Sequence, residues 1–74
     1  MLSPLEAERT KRGLSCAAVA DALAISEASY WRIENGQQTP RKPLCTAIYT
    51  YFGGSVTEME ILYPERFDRS EVGK

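Results

Sequence analysis

The chain has 74 residues, 43% hydrophobic and 26% charged, enough for one small globular domain but not for a second core or a large active-site cleft. Nine Lys and Arg against ten Asp and Glu give a net charge of −1 and a pI near 5.3, whereas a stand-alone nucleic-acid binder is ordinarily basic. There is no His, which removes the commonest general base and the commonest metal ligand.

Single Gly, Pro and Ser residues at short intervals divide the chain into short helices. Leu5 to Arg12 is rich in helix formers, with Pro4 in a first-turn position after Ser3 and Gly13 just past the end as a stop. Ser15 can cap a second helix, in which Cys16, Val19, Ala20 and Leu23 recur at three- and four-residue spacing as one apolar stripe ending near Leu23. Only Ala24 and Ile25 separate that stripe from Ser26, which can cap a third helix with Tyr30 and Ile33 on its inner face and Gly36 as its stop. A turn of about three residues between two helices is the connection of a helix-turn-helix.

The stretch from Gly36 to Pro43 is a loop by composition. Pro43 then suits the first turn of a fourth helix, with Leu44, Cys45, Ile48, Tyr51 and Phe52 as its apolar face and Gly53-Gly54 as its end. Ser55 is expected to cap a fifth helix from Val56 to Tyr63, stopped by Pro64. From Glu65 the sequence is polar apart from Phe67, and a frayed tail, or an arm that orders only against a partner, is expected. No stretch alternates with a period of two. The expected fold is all-α, a five-helix domain over residues 1–64 followed by a polar tail over 65–74.

Cys16 and Cys45 stand outside any paired-ligand spacing and read as reduced thiols that pack as small apolar groups. No apolar run approaches the roughly 18 residues of a membrane span, and the opening Met-Leu-Ser-Pro-Leu-Glu lacks the layout of a signal peptide. A cytoplasmic protein is expected, with no membrane partner, metal, cofactor or small-molecule substrate. Without His or clustered carboxylates, an enzyme is disfavoured.

Val19, Leu23, Ile25, Tyr30 and Ile33 are the apolar contacts that let two helices cross steeply, with Ala20 small where they approach most closely. The segments Arg-Gly-Leu-Ser (12–15), Val-Ala-Asp-Ala-Leu-Ala-Ile-Ser (19–26) and Arg-Ile-Glu-Asn-Gly-Gln-Gln-Thr-Pro (32–40) follow one another in register. Here the sequence resembles the lambda-repressor-like, Cro-type helix-turn-helix regulators of the xenobiotic-response-element family. The resemblance covers about residues 5–63.

That resemblance implies double-stranded DNA as the partner, with helix three in the major groove and helix two across the backbone. Its outward stripe, Ala28, Trp31, Arg32 and Asn35 with Glu27 at the tip, would then face DNA. Glu27, Ala28, Ser29, Trp31 and Arg32 are the candidates for base contact. Arg32 is the best reader, since its fork can bond two acceptors of guanine at once. Asn35, Gln37, Gln38, Thr39, Arg41 and Lys42 occupy positions where the family grips the sugar-phosphate backbone, which sets register without reading sequence. Ser15 and the first amides of helix two offer one more such contact. Arg9 and Glu34 match a pair that forms a buried salt bridge in many relatives, a structural role.

Plainer readings stand beside these. Trp31 can be a core-edge aromatic or a dimer contact, Arg32 a solvated helix charge, and Arg41 with Lys42 a wet loop. Tyr49 and Tyr51 fit core or dimer surface. The sequence also departs from the family at Cys16, where Gln is frequent and bonds a phosphate, and at Ala24, where Gly is frequent and a non-Gly residue must take an unfavourable turn conformation. Tyr30 replaces Ile or Val and demands a larger pocket or an exposed hydroxyl. Glu27 would be repelled by phosphates unless it accepts from a cytosine amino group. Lys42 falls where an apolar start of helix four is common.

Residues 1–42 hold six basic against five acidic residues, a net of +1, and residues 43–74 hold three against five, a net of −2. With so few cations each monomer should neutralise only about two or three phosphates. Affinity would then depend on pairing two subunits, the more so because a core of this size contributes only about 3–5 kcal/mol. A two-fold homodimer would set its recognition helices roughly 34 Å apart and read an inverted repeat. Tyr49, Tyr51, Met59, Leu62, Tyr63 and Phe67 are the candidate dimer surface. The expected function is a phage- or prophage-type repressor acting at an operator. The alternative is a protein-binding module of the same fold, an antitoxin or antirepressor with little DNA binding, which Glu27 and the acidic C-terminal third favour.

Overall fold

The computed structural model describes residues 2–69. Five α-helices follow in order, α1 (Pro4–Lys11), α2 (Cys16–Ala22), α3 (Glu27–Glu34), α4 (Lys42–Tyr51) and α5 (Glu58–Leu62), and a 3-10 turn spans Pro64–Phe67. Among the described residues there is no strand. No helix there is long and apolar enough to cross a membrane.

Side-chain caps start α1, α2, α3 and α5, whereas α4 has no side-chain cap and carries a proline in its first turn. The Ser3, Ser15 and Ser26 hydroxyls accept from the amides of Glu6, Ala18 and Ser29 at 3.0–3.1 Å, each satisfying an amide that the first turn leaves without a helical partner. α5 starts later than Ser55. Thr57 accepts from the Glu60 amide at 3.2 Å while Glu60 accepts from the Thr57 amide at 2.9 Å. This reciprocal capping box fixes the boundary and leaves Val56 buried in the turn before the helix.

α1 to α4 all end in the same motif, a left-handed residue followed by an amide that reaches back to the last turn. The left-handed positions are Gly13, Ala24, Gly36 and Gly53, with φ of 70°, 60°, 76° and 60°. In the α2–α3 turn Ala24 donates to the Asp21 carbonyl at 3.1 Å and Ile25 to the Ala20 carbonyl at 3.0 Å, the paired bonds of a Schellman end. Ala24 thus takes the unfavourable conformation expected of it, at a cost of roughly 1–2 kcal/mol. The link between α2 and α3 has no slack, so the turn sets how α3 is presented.

One core takes Leu5 from α1, Val19 and Ala20 from α2, Tyr30 and Ile33 from α3, Cys45 and Ile48 from α4, and Phe52, Val56 and Ile61 from the C-terminal part. Leu23 and Ile25 are half-buried against it. Arg12 ties α1 to the end of α4. Its guanidinium bonds Glu8 at 2.7 Å and the Phe52 carbonyl at 2.9 Å and lies 5.2 Å from the centre of the Phe52 ring. A cation there also favours the negative end of α4.

The frayed segment expected from Glu65 is corrected for residues 65–69. Beyond the 3-10 turn the Arg69 amide donates to the Leu2 carbonyl at 2.7 Å, and the Leu2 amide donates to Asp68 Oδ1 at 3.0 Å. Arg69 also pairs with Glu60 at 2.8 Å. These contacts join opposite ends of the chain, so local polarity did not foretell them. The remainder of the expected tail, residues 70–74, lies outside the described residues.

Candidate nucleic-acid interface

α3 divides its side chains sharply. Tyr30, Ile33 and Glu34 are buried, while Glu27, Ala28, Trp31 and Arg32 are exposed and together line one shallow surface depression. Trp31 is 47% exposed. Among the described residues neither Glu27 nor Arg32 has an ion-pair partner. Ser29 differs from these four. It is half-buried, and its hydroxyl accepts from Ser26 at 2.9 Å as part of the cap.

The backbone-gripping candidates sit on either side of this helix in sequence. Asn35 is half-buried at the end of α3, where its amide group donates to the Trp31 carbonyl at 2.9 Å. The Gln37 and Gln38 amides both donate to the Arg32 carbonyl, at 2.7 and 3.2 Å, which holds the start of the loop against α3. The side chains of Gln37, Gln38, Thr39, Arg41 and Lys42 are exposed, and Pro40 is buried among them as an anchor. Ser15 is exposed and uses its oxygen to cap α2.

Behind the exposed face lies a charged cluster that holds α3 in place. Arg9 donates to both oxygens of Glu34, at 2.8 and 3.1 Å, and to the Leu14 carbonyl at 2.9 Å. The Glu34 side chain is 1% exposed. Cys16 Sγ adds a weak donor to Glu34 Oε1 at 3.8 Å. Burial first, then the Glu34 carboxylate, pushes the Cys16 thiol up against the opposite pull of Arg9, so Cys16 stands as a neutral donor. It therefore faces inward on Glu34 where the resembled family places an outward phosphate ligand.

Tyr30 resolves its own departure by filling a pocket. It is fully buried, and its hydroxyl has no hydrogen bond of good geometry. Burial, and after it the neighbouring Glu34 carboxylate, pushes its ionisation up, so the group is a neutral phenol without a full partner. A buried hydroxyl left this way costs about 1–3 kcal/mol. Because Tyr30→Phe removes both a poorly satisfied hydroxyl and its contact with the Glu34 carboxylate, it is expected to change stability by less than about 1 kcal/mol in urea denaturation. A larger loss of stability would show that the hydroxyl has a full partner in solution.

The ion pairs also sharpen the charge pattern. Arg9, Arg12 and Arg69 are paired with Glu34, Glu8 and Glu60, and Arg66 lies 4.4 Å from the Tyr63 ring centre. Lys11, Arg32, Arg41 and Lys42 have no ion pair among the described residues. Arg12, counted among the basic residues of 1–42, is a structural residue engaged with Glu8 and the Phe52 carbonyl. Its spacing of four from Glu8 was the only local hint.

Two short helices joined by a tight turn, the second held from behind and bare in front, define a helix-turn-helix of the DNA-binding regulators. The model of the helix-turn-helix domain family matches residues 4–62, and the chain belongs to that family. The match agrees with the Cro- and lambda-repressor-like resemblance. No curated protein and no solved structure was found to match the chain.

Proposed function

We propose that the protein is a sequence-specific transcriptional repressor of phage or prophage type, which acts in the cytoplasm by occupying an inverted-repeat operator as a homodimer. The observation that carries this reading is the front of α3, where Glu27, Ala28, Trp31 and Arg32 are exposed without an ion pair or hydrogen bond among the described side chains. In the major groove Arg32 would bond guanine, and Glu27 would accept from a cytosine amino group. Ser29 would add a further base contact. Gln37, Gln38, Thr39, Arg41 and Lys42 would hold the sugar-phosphate backbone, with Asn35 and Ser15 at the helix ends adding to the grip. The reading unit is assigned to residues 1–64.

The partner subunit would cover apolar side chains outside α3. Tyr49, Met59, Tyr63 and Phe67 are exposed, and Tyr51 and Leu62 are half-buried beside them in sequence. With about two or three phosphates neutralised per subunit, affinity for random duplex DNA should fall about 10²–10³-fold between 50 and 200 mM salt. A gel-shift titration at both concentrations tests this. Absence of a salt-dependent shift would sink the DNA reading and leave the protein-binding alternative.

A further inference from the structure

We infer that the Asn35–Gly36 peptide is a deamidation site that the folded end of α3 keeps shut, so that a chain which loses this helix end converts irreversibly into one that grips DNA poorly. The modification stands on the chain's own chemistry, and its effect on DNA rests on the DNA-binding reading above. Asparagine followed by glycine is chemically labile, because glycine has no Cβ and leaves its amide nitrogen open to the preceding side chain. Asn35 and Gly36 stand in that order. In the reaction the Gly36 nitrogen gives its proton to solvent base and attacks Asn35 Cγ. The new N–Cγ bond closes a five-membered imide, and the side-chain nitrogen takes up a proton and leaves as ammonia. Water then adds to one of the two imide carbonyls and opens the ring to aspartate or isoaspartate. One water is consumed for each ammonia released, and no oxidant or reductant takes part.

The folded helix end opposes each part of this sequence. Asn35 has a ψ of 8°, which turns the Gly36 nitrogen toward the Asn35 backbone nitrogen and away from its Cβ, so the ring cannot close. The Gly36 N–H donates to the Ile33 carbonyl at 3.2 Å, and the Asn35 side-chain nitrogen donates to the Trp31 carbonyl at 2.9 Å. The nucleophile thus keeps its proton and the leaving group is tied down. Both bonds lie in the last turn, the part of a helix that opens most readily. Conversion to aspartate removes the donor to Trp31, since a carboxylate only accepts, and sets a negative charge at the negative end of α3. That charge would also repel the phosphate that Asn35 would contact. Isoaspartate adds one backbone carbon before Gln37 and Gln38, whose amides the Arg32 carbonyl holds, and shifts the loop out of register.

The test incubates the whole chain in mildly alkaline buffer with and without urea. Mass spectrometry follows the fragment that contains Asn35, and chromatography separates aspartate from isoaspartate. The expected result is conversion in urea that quickens with pH and runs at least about tenfold slower in the folded chain. Gly36→Ala, compared in urea where the fold plays no part, should slow it about tenfold. Equal rates in the folded and unfolded chain overturn the sealing, and no conversion in urea overturns the site. Asn35→Asp, with its fold checked by circular dichroism, should bind a duplex chosen by selection from random sequence about tenfold more weakly than wild type. The neutral Asn35→Ala should fall between the two. Wild-type affinity in Asn35→Asp overturns the effect on DNA. If the wild type binds no duplex at any salt concentration, the DNA reading fails, while the conversion rates still decide the modification.

Discussion

Arg9→Ala is expected to leave the protein largely unfolded at 25 °C. Glu34 is 1% exposed and receives two charge-assisted bonds from Arg9. Without Arg9, what remains beside Glu34 among the described side chains is the weak Cys16 thiol at 3.8 Å and the Tyr30 hydroxyl, which has no hydrogen bond of full geometry. Stripping one partner from a buried pair costs about 3–5 kcal/mol, because the other charge stays desolvated. A chain this short has about that much stability in all. The cost does not measure what the pair is worth, since replacing both partners by apolar groups is often neutral. Arg9→Met combined with Glu34→Leu should therefore recover most of what Arg9→Ala loses. Urea denaturation followed by circular dichroism reads both. A loss below about 1 kcal/mol for Arg9→Ala would place the pair among ordinary surface bridges and remove the support we assign to it behind α3.

The second large effect concerns reading rather than folding. Arg32→Ala is expected to lower affinity for the selected operator about 10- to 100-fold per half-site, with the loss confined to one base position and little change on random DNA. Because Arg32 has no ion pair among the described residues, its removal should not disturb the fold. Its carbonyl, which holds Gln37 and Gln38, stays in place. Arg41→Ala should instead weaken all sequences about equally and reduce the salt slope by about one per subunit. Quantitative binding to the operator and to its single-base variants separates the two. Equal losses across all variants for both changes would show that Arg32 does not read bases.

How far the sequence carries depends on whether the deciding partner is near or far along the chain. The helix starts at Ser15 and Ser26 are decided within one turn and were legible as caps, and the start at Ser3 was legible through Pro4 in the first turn. The four left-handed ends were legible at Gly13, Gly36 and Gly53, and Ala24 became so only through its place in the family pattern. The late start of α5 was locally encoded as well, but in Glu60 three residues beyond Thr57 rather than in the nearer Ser55. What stayed hidden depends on distant partners. Arg12 meets Phe52, and Leu2 meets Asp68 and Arg69, across most of the chain. In the candidate site, the outward stripe expected from helical periodicity holds for Ala28, Trp31 and Arg32 with Glu27 at the tip, whereas Asn35, expected on the same stripe, is half-buried. The local bonds that engage Ser29 and Asn35 depend on side-chain rotamers, which periodicity does not specify.

The clasp between Leu2 and the segment Asp68–Arg69 has a consequence for the topology of the molecule. Two hydrogen bonds of 2.7 and 3.0 Å bring the two ends of the described chain side by side, so the backbone is nearly a closed ring. Whatever is attached before or after it, whether a tag, a tether or another domain, departs from the same corner of the surface. A short peptide bridging that corner would join the ends, and a new opening could then be cut in an exposed loop elsewhere.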